Sequence, residues 1–122
     1  MLVLTLGDRL LSRYFKSDSA SGSHQITFTS DYKKITLDVK EIKYIESHDT
    51  EVWLYATEDR LFRNRTGITQ WENLLGEDFV RVHRSYLVRR DRIITAGSEH
   101  VILNDNTEIP VSKTFRKNLM PA

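Results

Sequence analysis

The residues with the clearest chemical potential lie in the stretch 79–92, where five arginines stand against a single aspartate. The whole chain is nearly neutral, with 18 basic and 17 acidic residues. Arginine presents a planar fork of donors that pairs bidentately with phosphate or with the O6/N7 edge of guanine. This local excess of arginine is therefore a candidate surface for a polyanion, built from Arg81, Arg84, Arg89, Arg90 and Arg92.

Apolar neighbours divide this stretch into buried and exposed positions. The apolar residues should anchor in the core: Val82, Tyr86, Leu87 and Val88. The polar residues between them are then pushed to the surface from a rigid base: His83, Arg84 and Arg89. The alternative is a solvated face whose arginines pair with acidic side chains elsewhere, which is the usual fate of a charge run. Composition alone favours that alternative.

Other chemistries find little support in the residue types. The chain has no cysteine, which excludes disulfides, thiolate-bound zinc and a cysteine nucleophile. Its four histidines lie far apart and lack metal-site spacing. His83 and Ser85 have no Gly-x-Ser-x-Gly elbow beside them, so a small hydrolase is only a rival hypothesis. We predict no catalytic residue, no metal and no cofactor.

Length and composition fit one domain in the cytoplasm. A chain of 122 residues with 39% hydrophobic and 29% charged residues is ordinary for a globular protein. The apolar start at residues 1–6 is interrupted by Asp8 and Arg9, well short of the roughly 20 apolar residues that span a bilayer. Neither a membrane segment nor a signal peptide is predicted.

Residues 1–24 read as a separate N-terminal piece. Apolar residues at helical spacing, Leu10, Leu11, Tyr14 and Phe15, precede a small and polar run at 16–23. The pattern predicts a short helix followed by a flexible Ser-rich linker. This piece could be an inter-domain joint in a longer protein, a tether or an accessory element of the same domain.

From Gln25 the apolar period changes to two, which predicts half-buried strands. The predicted strands form a meander over 25–64, with a polar loop at residues 48–51 and a tight turn at Glu58-Asp59. Further strands are predicted at 79–82 and 93–96, and a hairpin follows over 100–109. Trp53 and Trp71 alternate into apolar faces and are predicted to be core residues.

Two helices interrupt or close this pattern. Thr66 is a plausible N-cap for a helix that buries Ile68, Trp71, Leu74 and Leu75, and Gly76 is suited to follow its last turn. Ser112 is suited to cap a short final helix with Phe115 and Leu119 inward and Lys113, Arg116 and Lys117 outward. The fold class predicted is mainly β with two or three short helices.

Three segments in this order resemble the LytTR domain of bacterial transcription regulators over residues 25–120. They are Tyr44-Ile45-Glu46-Ser47 with its loop, the run from Phe79 through Arg81, His83, Ser85 and Tyr86 to Val88, and Ile109-Pro110-Val111-Ser112-Lys113. The chain departs from the family at Arg89, where the usual residue is Asn. Arg89 would then either reach solvent or add a phosphate contact.

The resemblance implies an elongated antiparallel β sandwich that binds double-stranded DNA through loops at direct-repeat sites, without a recognition helix. It also implies the output domain of a two-component response regulator, a receiver domain in the full-length protein and a homodimer on DNA. The DNA-binding residues implied or added by charge are His48, Thr50, Glu51, Arg81, His83, Arg84, Arg89, Lys113, Thr114, Arg116 and Lys117. The alternative function is a protein-interaction β domain whose basic face meets an acidic partner.

Overall fold

A computed structural model describes residues 24–120. The predicted N-terminal helix and the predicted linker at 16–23 fall outside these residues. The strands are β1 (Gln25–Ser30), β2 (Lys33–Asp38), β3 (Ile42–His48), β4 (Glu51–Ala56), β5 (Arg60–Asn64), β6 (Phe79–His83), β7 (Tyr86–Arg89), β8 (Ile93–Ala96), β9 (His100–Leu103) and β10 (Glu108–Pro110). Helix α1 spans Ile68–Leu75, and 3-10 turns lie at Val39–Glu41, Gly76–Asp78, Arg90–Arg92 and Arg116–Leu119. No helix in this described part is long and apolar enough to cross a membrane.

The strands form three antiparallel sheets, which confirms the mainly β prediction. The central sheet has the order β5-β4-β3-β7-β6, the β1-β2 hairpin stands apart, and a third sheet has the order β10-β9-β8. Because side chains alternate along a strand, the central sheet contributes to two cores. One face packs Ile45, Leu54 and Leu87 with α1 and the β1-β2 hairpin. The other packs Val82 and Val88 under the three-stranded sheet.

The hairpin turns have the predicted residue types. Glu58 and Asp59 have left-handed φ of 64° and 57° within the three-residue connection between the paired residues Ala56 and Arg60. Asp49 adopts φ 57° in the turn between β3 and β4, and Asn106 adopts φ 72° between β9 and β10. Asp and Asn tolerate this conformation better than most residues.

Helix α1 differs from its prediction at two positions. Its N-cap is Gly67, not Thr66, because the Thr66 N–H already donates to Asn64 Oδ1 at 2.9 Å and holds Thr66 in the preceding turn. Leu74 is 57% exposed, whereas the other three predicted apolar residues are buried. Gly76 follows the helix at φ 72°, as expected of a helix terminator.

The last segment is less regular than predicted. Ser112 does not cap a helix: its carbonyl oxygen accepts from the Phe115 N–H at 3.2 Å, and a single 3-10 turn follows at Arg116–Leu119. Leu119 nevertheless packs against the second core, and Lys113, Arg116 and Lys117 are exposed as predicted.

Candidate nucleic-acid interface

Antiparallel pairing brings three of the predicted segments to one end of the central sheet. The Ser47 N–H donates to the Ser85 carbonyl at 2.8 Å, so the β3–β4 turn lies beside the β6–β7 turn. The Ser112 N–H donates to the Val82 carbonyl at 3.0 Å, which fastens the segment after β10 next to the same turn. We call this end, with the Asp49–Thr50 and Arg84–Ser85 turns and residues 112–117, the turn end.

The arginines of residues 79–92 do not form the single surface that their sequence suggested. Arg84 lies at the turn end, whereas Arg89 is the last residue of β7 at its other end, and Arg90 and Arg92 follow directly after it. There they donate to the carbonyls of Val39, Glu77 and Lys40 at 3.2, 2.7 and 3.1 Å. At about 3.4 Å per residue, β7 separates the two groups by roughly 10 to 14 Å.

Arg89 was predicted to be exposed, and this is wrong. The residue is 7% exposed, and its guanidinium pairs with Asp91, with Nε 2.8 Å from Oδ1 and Nη2 3.2 Å from Oδ2. The guanidinium also lies 5.7 Å from the ring centroid of Phe79. The Arg90–Arg92 turn brings Asp91 back over the end of β7, so the guanidinium of Arg89 is engaged by groups within the domain.

Arg81 is also directed inward. It is 8% exposed, and its Nη1 lies 2.9 Å from Glu72 Oε1 on α1. Nε donates to the His83 carbonyl at 3.0 Å, and Nη2 donates to the Arg84 carbonyl. The sequence placed Arg81 beside Arg84 as a contact residue, whereas the guanidinium is engaged within the domain.

Arg84 is the exposed arginine that residues 79–92 contribute to the turn end. Among residues 24–120 its guanidinium makes no hydrogen bond or ion pair, although its backbone is held by Arg81. The turn is fixed a second time because the Ser85 N–H donates to His83 Nδ1 at 3.0 Å. His83 is half-buried with its ring 5.5 Å from that of Tyr86. A free cationic side chain thus stands on a turn with two supports.

The segment after β10 adds further cations to the turn end. Lys113, Thr114 and Lys117 are exposed, and the two lysines have no ion pair within the described range. Arg116 is exposed too and donates through Nε to the Ser98 carbonyl at 3.0 Å. These side chains suit contacts with an extended anion such as a phosphate backbone.

Two of the three predicted contact residues at the β3–β4 turn already make contacts within the domain. His48 stacks on Trp53 with ring centroids 3.9 Å apart, and its Nε2 lies 3.1 Å from Glu46 Oε1. Glu51 Oε2 accepts from Trp53 Nε1 at 3.0 Å. Thr50 is exposed and is the predicted residue of this turn left most open. Trp53 is only half-buried, on the face of the central sheet opposite to Val52 and Leu54, so its prediction as a core residue is wrong.

A carboxylate network beneath the turn end was missed at the sequence level. Glu46 accepts from the hydroxyls of Tyr86 at 2.8 Å and Tyr55 at 3.0 Å. Burial raises the pKa of the Glu46 carboxyl, but hydrogen bonds from Tyr86, His48 and Tyr55 outweigh burial and hold this pKa below its ordinary value. Burial and the neighbouring Glu46 raise the pKa of Tyr86 to about 12. A charged Glu46 therefore anchors Tyr86, the first residue after the Arg84–Ser85 turn.

Two further arginines lie near this end and were not singled out from the sequence. Arg63 pairs with Asp31, Nη2 to Oδ1 at 3.2 Å, and Arg65 is exposed directly after β5. They border an open depression that also includes Glu51, Asn64 and Trp71. The signal in the sequence was the run 60–65, which carries three arginines and no acid.

The fold and this surface define a class of protein: a β domain that presents basic side chains on short turns, as a binding module does. The family is identified directly. Residues 32–122 match the model of the LytTr DNA-binding domain, and the chain belongs to that family of DNA-binding domains.

One curated protein is similar to this chain in sequence, and one solved structure is similar to it in fold. The sensory transduction protein LytT of Bacillus subtilis is 27% identical over 109 residues, which cover 85% of this chain and 45% of that protein. The chain thus spans about half the length of this relative. The solved LytTr DNA-binding domain of a methyl-accepting/DNA response regulator from Bacillus cereus shares the fold, with a TM-score of 0.67 at 22% identity, covering 80% of this chain and 93% of that one.

Proposed function

We propose that this chain is the output domain of a bacterial transcription regulator and binds double-stranded DNA sequence-specifically without a cofactor. The observation that carries the proposal is Arg84, an exposed guanidinium without an intramolecular partner among residues 24–120, on a turn held by Arg81 and His83. A rigid base that presents a free planar fork is what bidentate reading of guanine requires.

The other exposed residues of the turn end have simpler roles in this proposal. Lys113, Arg116 and Lys117 neutralise phosphates, and Thr50 and Thr114 donate hydroxyl hydrogen bonds to the backbone or to base edges. His48 and Glu51, occupied by Trp53 and Glu46, shape the β3–β4 turn. Arg89 has no contact role in this proposal, because it is buried at the end of β7 that lies away from the turn end.

The wider setting is part of the same proposal. The domain works in the cytoplasm, follows a receiver domain in a two-component response regulator and pairs on direct-repeat sites. The name of the Bacillus subtilis relative and the half of that protein outside the match support a regulator with a further domain. The alternative, an acidic protein partner, would need one basic face from Arg81 to Arg92, and these arginines divide between two ends of the sheet.

Binding should depend steeply on salt. If each domain contacts about 4 to 6 phosphates, counterion release gives a slope of roughly −4 to −5 in a plot of log K against log salt concentration. The measurement is fluorescence anisotropy on a duplex enriched by the full chain from a random-sequence library. A flat response, or no enriched duplex, would contradict DNA binding as the function.

Replacing Lys113 by Ala should remove one phosphate contact. We expect weaker binding to every duplex sequence and a salt slope smaller in magnitude by about one, with the base preference unchanged. The matched control is Lys40→Ala, since Lys40 is an exposed lysine at the far end of the sheet, where its carbonyl meets Arg92. Equal salt slopes for wild type and Lys113→Ala would remove Lys113 from the interface.

A further inference from the structure

The guanidinium of Arg81 makes hydrogen bonds within the domain, whereas a DNA-contacting arginine needs free donors at the surface. A guanidinium carries five N–H donors and no acceptor. In Arg81 these donors reach Glu72 of α1 and the carbonyls of both His83 and Arg84. The helix and the β6–β7 turn are therefore joined through one planar group, which is 8% exposed.

The same residue also meets the segment after β10. Its guanidinium carbon lies 5.2 Å from the ring centroid of Phe115. Its carbonyl accepts from Asn118 Nδ2 at 2.8 Å, so Arg81 contacts both the residue before the 3-10 turn at Arg116–Leu119 and a residue within that turn. One buried residue, Arg81, thus contacts both the turn that carries Arg84 and the segment that carries Lys113.

We infer that Arg81 is a positioning residue for DNA recognition: it fixes the Arg84 turn against the Lys113 segment and touches no DNA itself. The inference rests on the proposed function, since it assigns a role within that interface. Base reading demands a closely defined position for the fork of Arg84, whereas a long lysine can follow a phosphate that has shifted slightly. Loss of Arg81 should therefore reduce sequence discrimination more than phosphate binding.

The planar fork is what the role requires. Lysine supplies a compact point charge that can follow one partner but cannot span a carboxylate and two carbonyls in one plane. Arg81→Lys should therefore fail to restore positioning. If Arg81 instead contacted a phosphate, lysine would serve nearly as well and the salt slope would be kept along with discrimination.

The test compares binding to the enriched duplex with binding to a scrambled duplex of the same composition. We expect Arg81→Gln and Arg81→Lys to lower this ratio by about 5- to 150-fold, as Arg84→Ala does, with the salt slope of wild type. Combining Arg81→Gln with Arg84→Ala should lower it no further, because both changes remove one reader. Additive losses, or a slope smaller by about one, would overturn the inference.

A second variant approaches the same contact from the helix. Glu72→Gln removes the charge that Nη1 meets, at a side chain that is 38% exposed and tolerant of change. We expect a partial loss of discrimination with unchanged thermal unfolding. If Arg81→Gln does not fold, Glu72→Gln and Arg81→Lys decide the question, and full discrimination in both would refute a positioning role.

A measurement without DNA separates this inference from the proposed function. The Ser85 N–H is bonded to His83 Nδ1 at 3.0 Å within the turn that Arg81 holds. Hydrogen exchange at this amide should be faster in Arg81→Gln than in wild type, while amides of β4 keep their protection. Unchanged exchange at Ser85 would overturn the inference even if DNA binding holds, and the absence of any enriched duplex would defeat only the proposed function.

Discussion

Replacing Arg84 by Ala is expected to weaken binding to the enriched duplex by about 1 to 3 kcal/mol and to relax the preference at one base position. The loss should come from binding alone. Within residues 24–120 the side chain of Arg84 supports no other group, and the turn is held through its backbone by Arg81 and through Ser85 by His83. Unfolding temperature should therefore be unchanged.

The control for this change lies in the same basic stretch. Arg90 is exposed like Arg84 but lies at the far end of β7, where its Nε donates to the Glu77 carbonyl at 2.7 Å. Arg90→Ala should leave the affinity and the base preference as they are. The measurement is affinity for a panel of duplexes with each base of the site changed in turn. A uniform loss at all positions in Arg84→Ala would make Arg84 a phosphate contact.

Local patterns in the sequence predicted the strands and turns well, for a physical reason. Alternation of apolar residues reports which face of a strand is buried, and residues such as Glu58-Asp59 between two alternating runs mark a hairpin turn. These are short-range properties. The boundaries of β5, Arg60–Asn64, coincide with the predicted ones.

The destination of each arginine could not be read in the same way. Arg81 and Arg89 each meet a group from another element, Glu72 of α1 and the Val39 carbonyl, and these groups come within reach only when the chain has folded. Strand pairing and the packing of α1 decide which distant group each guanidinium reaches, and the residues beside the arginine in the sequence do not reveal that partner. The charge run therefore predicted a basic surface, whereas only Arg84 of the five stands free at the turn end.

The two tryptophans show the same limit for apolar residues. Both were predicted to be core residues. Trp71 is 2% exposed, as predicted, but Trp53 is half-buried on the face of the central sheet opposite to the core that contains Trp71. Alternation places Trp53 opposite Val52 and Leu54, which fill the first core. The sheet face that carries Trp53 also carries Glu46 and His48, and the Trp53 side chain organises the β3–β4 turn through its contacts with His48 and Glu51.

Replacing Trp71 by Ala should lower the free energy of unfolding by about 3 to 5 kcal/mol, a large part of the 5 to 15 kcal/mol typical of a domain. Trp71 packs edge-on against Phe28 with ring centroids 5.4 Å apart, which joins α1 to the β1-β2 hairpin. Its Nε1 donates to Asn64 Oδ1 at 3.1 Å. Asn64 in turn donates to the Thr29 carbonyl at 2.8 Å. Removing the indole therefore weakens contacts among three elements: α1, β5 and β1.

Two further variants separate packing from hydrogen bonding and from turn geometry. Trp71→Phe keeps most of the apolar contact but leaves Asn64 Oδ1 with one donor fewer, and about 1 kcal/mol should be lost. Trp53→Phe removes the donor to Glu51 on a half-exposed face and should alter stability less than Trp71→Ala. Urea unfolding followed by circular dichroism measures all three.

Because Trp71 lies in the core and Trp53 beside the turn end, only Trp53→Phe should change DNA affinity in conditions where every variant is folded. Similar unfolding midpoints for Trp71→Ala and Trp53→Phe would contradict the separate roles assigned to these side chains.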